Sequence, residues 1–76
     1  MIEFHTRLRN AHHVLRFSIQ ETGAGWEVRE EQDSRVVRQV CYTDWHRVER
    51  ARMTFAIAVS SLREKGWAVE SAAESP

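Results

Sequence analysis

The sequence predicts an α+β fold: a four-stranded antiparallel β-meander with one long C-terminal amphipathic helix packed on one face. Three observations carry this. Apolar and polar residues alternate through the first half of the chain, the period of a half-buried strand. Short polar or glycine-bearing breaks separate the alternating runs. From Thr43 the apolar period changes to three and four residues, and no glycine or proline interrupts it before Lys65.

Ile2, Phe4, Thr6 and Leu8 fall on one side of the first strand, with Glu3, His5 and Arg7 on the other. Arg9-Asn10-Ala11-His12 reads as a turn. Leu15, Phe17 and Ile19 then face the core, opposite Val14, Arg16, Ser18 and Gln20. Gly23-Ala24-Gly25 reads as a hairpin loop, because glycine enters positive φ without a Cβ clash. The third strand is expected over Trp26–Glu31, with Trp26 and Val28 inward. Gln32-Asp33-Ser34 is the next turn. The fourth strand is expected over Arg35–Tyr42, with Val36, Arg38, Val40 and Tyr42 on one face and Val37, Gln39 and Cys41 on the other. Thr43 is the expected helix N-cap and Asp44 an acidic residue of the first turn. Arg63, Lys65 and Gly66 provide the stop. Trp45, Val48, Phe55, Val59 and Leu62 form the stripe that faces the sheet, with Arg52 at its margin. Residues 67–69 are a short terminal strand or a tail over the core. The chain reads as a single domain over residues 1–70 and a disordered tail over 71–76.

Seventy-six residues bury a small core. Ten arginines and one lysine balance eleven acidic residues, and zero net charge argues against strong attraction to nucleic acid or an anionic membrane. No run is apolar enough for a membrane span, and Met1–His5 lacks the layout of a signal peptide. The single cysteine, Cys41, has no partner for an intramolecular disulfide, which fits a cytoplasmic setting.

Few residues suggest chemistry. His5, His12, His13, His46 and Cys41 are metal-ligand types, but their spacing fits no finger or ribbon. Cys41 and His46 lack a third group to orient the histidine. Gly23-Ala24-Gly25 precedes a strand, whereas a phosphate cradle precedes a helix. Glu30, Glu31 and Asp33 read as a solvated turn. No catalytic residue, metal site or cofactor is expected.

Two interaction surfaces stand out. Met53 and Ile57 lie one turn apart, round the helix from the core stripe, with Ala56 and Ser60 beside them and Arg50 at the rim. This predicts a protein-interaction module that meets a second copy of itself, as a homodimer, or another protein. The alternative is weak single-stranded nucleic-acid binding by Arg7, Arg16 and Arg29 on the open sheet face, among His5, Ser18 and Gln39. The order of four strands then a helix resembles, in topology alone, the repeat unit of Pur-type and Whirly-type single-strand binders, and none of their residue motifs is present. Every aromatic falls in the expected core or tail, which leaves the open face without a base-stacking platform.

Overall fold

A computed structural model describes residues 2–74. The elements run β1 (Ile2–Asn10), β2 (His13–Thr22), β3 (Gly25–Gln32), β4 (Arg35–Tyr42), α1 (Trp45–Glu64) and β5 (Ala68–Glu74). All strand pairs are antiparallel, in the order β4-β3-β2-β1-β5. The expected meander and helix are present, and a fifth strand returns from the helix to pair with β1.

Three two-residue turns join the meander. Asp33 and Ser34 both have positive φ, 51° and 67°, as a tight hairpin turn requires. Aspartate tolerates that conformation better than most residues. Asp33 also ties its turn to β2: its carboxylate accepts from the Val14 N–H at 2.9 Å, and its own N–H donates to the Val14 carbonyl at 2.9 Å. His13 Nδ1 lies 3.1 Å from the other carboxylate oxygen. The Val14 N–H first, then the His13 ring, hold the Asp33 carboxyl below the usual carboxylate range. At the other end of the sheet Gly25 has φ +144°, and a Cβ there would run into the backbone carbonyl of Tyr42.

The core lies between α1 and one sheet face. Phe4, Leu8, Phe17, Ile19 and Val28 from the sheet meet Val48 and Phe55 from the helix, all buried. The Phe55 ring sits 5.8 Å from Phe4 and 5.1 Å from Phe17. Trp45 packs on Trp26 at 5.2 Å and keeps one side in solvent.

Four local expectations are corrected. The N-cap is Asp44, not Thr43: its Oδ1 accepts from the His46 N–H at 2.9 Å. Val36 does not share a face with Arg38. Glu31 pairs with Val36 and Glu30 with Arg38, so Val37 is an extra residue in β4, and the bulge turns Val36 to the open face. The terminal strand is longer than residues 67–69 and begins one residue later. The expected disordered segment starts inside it: Ser71 to Glu74 pair with β1, and residues 75–76 lie outside the described residues. The helix stop is as expected, with detail the sequence did not show. Gly66, at φ 101°, donates to the Arg63 carbonyl, and Trp67 donates to that of Leu62. This Schellman arrangement brings Trp67 and Leu62 together against the core.

Candidate functional site

Three surfaces are candidates. The first is the outer side of α1. Met53 and Ile57 are 61% and 69% exposed and face away from the sheet. Helical spacing aligns His46, Arg50, Met53, Ile57, Ser60 and Glu64 in one outer stripe, at steps of four and three residues. All six are exposed, so every side chain expected at the helix contact is on one accessible surface.

The second is the open sheet face. Cross-strand partners share a face of an antiparallel sheet. The register sets Arg7 beside Arg16 and Ser18 beside Arg29, so the three arginines expected to contact nucleic acid do share this face. Each, however, has a carboxylate. Arg16 lies 3.6 Å from Glu31, and Arg29 lies 2.7 Å from Glu27, which also accepts from Gln39 at 2.8 Å. Arg9, expected in a turn, belongs to β1, and its Nε donates to Glu70 at 2.9 Å. Arg7 Nε stands 3.3 Å from the other Glu70 oxygen, close enough for an ion pair but off hydrogen-bond geometry. Glu70 is the extra residue where the β1–β5 register shifts, and the bulge directs its carboxylate to the two arginines. The Arg9 hydrogen bond, helped by the charges of Arg9 and Arg7, holds the Glu70 carboxyl below its usual range. A groove of 490 Å³ opens on this face between Arg16, Glu31, His12 and Asp33. Its Arg7, Arg16, Glu31 and Asp33 side chains already have partners.

The third surface is not among those the sequence predicts. A cleft of 310 Å³ runs between β4 and α1. Val28, Phe55 and Tyr42 form its floor and wall, and Arg38, Arg47 and Arg50 rim it. Among the described residues no carboxylate lies within 4.0 Å of these three guanidinium groups. Glu30 is the cross-strand neighbour of Arg38 without reaching it, and Glu49 turns to the other side of the helix, 3.2 Å from Arg52. The helical spacing of Arg47 and Arg50 was a visible signal. Their meeting with Arg38 is not visible without the packing of α1 on the sheet.

Among the described residues no three His, Cys, Asp or Glu side chains gather as metal ligands, and no helix is long and apolar enough to cross a membrane. No protein-family model, no curated protein and no solved structure matches the chain. The likeness to Pur-type and Whirly-type binders therefore stays one of element order alone.

Proposed function

We propose that this chain is a non-enzymatic protein-interaction module that self-associates through the outer side of α1. The observation behind this reading is the exposure of Met53 and Ile57 in the middle of a stripe that is complementary to itself. His46 and Arg50 precede the apolar pair, and Glu64 follows it. Two such helices crossing antiparallel about Ile57 bring Arg50 of each copy toward Glu64 of the other. Met53 and Ile57 then cover one another, and Ser60 and Ala56 permit close approach. A twofold contact of this kind uses the same patch on both copies. Zero net charge leaves little repulsion to overcome. A cytoplasmic setting belongs to the same reading, because the exposed thiol of Cys41 keeps best in a reducing compartment.

The test is the mass in solution of wild type and Ile57→Glu, by analytical ultracentrifugation. The variant should fold with stability within about 0.5 kcal/mol of wild type, because the Ile57 side chain is largely in solvent. It should sediment as a monomer where wild type does not. A wild type that stays monomeric at high concentration removes the homodimer. Weak single-stranded nucleic-acid binding through Arg7, Arg16 and Arg29 is the second reading, favoured by their common face and opposed by their carboxylate partners.

A further inference from the structure

We infer that the cleft between β4 and α1 is the docking groove for an acidic, extended segment of another protein, which pairs as a sixth strand along the free edge of β4. The cleft adjoins the outer stripe of α1 and shares Arg50 with it, while Val28, Arg38, Tyr42 and Arg47 lie off that stripe, so an added strand along β4 does not require self-association.

Three observations point the same way. Among the described residues β4 is an edge of the sheet, with β3 as its one neighbour. Alternate main-chain N–H and C=O groups on such an edge point outward without a partner, and an extended chain satisfies them by adding a strand. The edge also carries uncovered apolar side chains: Val36 and Val37 are 50% and 58% exposed. Finally, the cleft over the helix side of β4 is rimmed by Arg38, Arg47 and Arg50, whereas the arginines of the open face have carboxylates at hand.

The geometry sets the chemistry of the partner. In an added strand alternate side chains point to the helix side, where the three guanidinium groups stand. Acidic residues at every second position would meet them, and arginine suits such carboxylates because its planar fork binds both oxygens. The intervening side chains would lie on the open-face side, beside Gln39 and Cys41. The bulge at Val37 interrupts the edge between Arg38 and Val36, so the longer regular part, residues 38–42, takes the new strand. A second copy fits this edge poorly. β4 contains Arg35 and Arg38 and no acidic residue, and two such strands side by side would place like charges together.

The test is a titration of the isotope-labelled full chain, followed by backbone amide NMR at low salt. The probe is a capped eight-residue peptide alternating glutamate and threonine, (Glu-Thr)4. The inference expects shifts gathered on residues 35–42 and 47–54, slower hydrogen exchange along β4, and weakening with salt. It also expects at least about tenfold weaker binding to the Arg47→Glu/Arg50→Glu double variant, whose spectrum should remain that of the folded domain. Ile57→Glu should bind the peptide at least as tightly as wild type, because loss of the self-contact leaves Arg50 to the cleft. Any of four results would overturn the inference: no binding of (Glu-Thr)4; equal binding of (Lys-Thr)4; shifts centred away from β4; or β4 already protected by a second copy without peptide. A single-stranded oligothymidylate that binds the same residues more tightly, with the same arginine dependence, would make the cleft a phosphate groove instead.

Discussion

On the open sheet face Arg7, Arg9, Arg16 and Arg29 lie between 2.7 and 3.6 Å from carboxylates. Across the sheet, beside α1, Arg38, Arg47 and Arg50 rim a cleft floored by Val28 and Phe55, with no carboxylate in reach among the described residues. Both groups belong to a chain of zero net charge. The contrast comes from position. Strand alternation puts Glu27 and Glu31 on the same face as the arginines, and the β5 bulge adds Glu70. On the helix, Glu49 rotates away from the cleft and pairs with Arg52. Overall charge therefore says little about where an anion would be held. A guanidinium already close to a carboxylate must lose that partner to bind another, whereas an unpaired one need only lose water.

The strongest way to break this comparison is Phe55→Ala. Phe55 is both the floor of the cleft and the centre of the core, 2% exposed between Phe4 and Phe17. The substitution should lower unfolding free energy by about 3–5 kcal/mol in urea denaturation. That is much of what a domain this small possesses. A loss under about 1 kcal/mol would show that α1 does not bury this face.

Gly25→Ala should follow, with a loss of about 1–3 kcal/mol. The new Cβ meets the Tyr42 carbonyl at a positive φ, and Tyr42 is a wall of the cleft. Thermal melts measure the loss, and shifts of the Tyr42 and Arg38 amides would show whether the cleft changes shape with it.

Acid probes the paired side. Asp33 and Glu70 both have folded-state pKa values below the usual carboxylate range. A carboxyl with a depressed folded pKa contributes stability above its unfolded pKa and loses it as pH falls through the folded one. The urea midpoint should therefore hold down to about pH 4.5 and then fall. Glu70→Gln should flatten part of that fall and loosen β5 first, seen as faster amide exchange over residues 68–73. An unchanged acid limb would mean the Glu70 pairs contribute nothing to β5.

The mildest substitution sharpens the comparison most. Glu27→Gln with Glu31→Gln releases Arg29 and Arg16 at a stability cost within about 1 kcal/mol. Retention of single-stranded DNA at low salt, by fluorescence anisotropy, should rise over wild type and fall again with added salt. Equal retention by both proteins would show that the carboxylates are not what keeps the open face from binding.

The residues explain which parts of this were legible in advance. The strands of the meander and the helix showed their periods because each buries one face, and burial imposes a repeat of two or of three to four residues on the sequence. The exposed helix pair was visible for the same reason, as apolar residues off the buried stripe. The sequence does not separate Thr43 from Asp44 as the cap because both are good cap types, and the path out of β4 decides between them. The turn of Val36 to the open face depends on a bulge defined by two strands together. The full length of β5 is not visible in the sequence because Ala68–Glu74 has small and polar residues with little alternation. Its order comes from pairing with β1 and from Glu70 reaching Arg7 and Arg9, more than sixty residues away in the chain.

By itself the sequence determined the α+β class, the four strands of the meander, the helix and its glycine stop, and the apolar pair on the helix's outer side. Each of these follows from local periodicity or from a backbone preference confined to a few neighbouring residues. Only the tertiary structure decided the fifth strand, the bulges, the pairing of the open-face arginines and the gathering of Arg38, Arg47 and Arg50 around one cleft. Those features are set by which distant residues become neighbours when α1 closes over the sheet, and charge acts over distances that sequence separation does not measure.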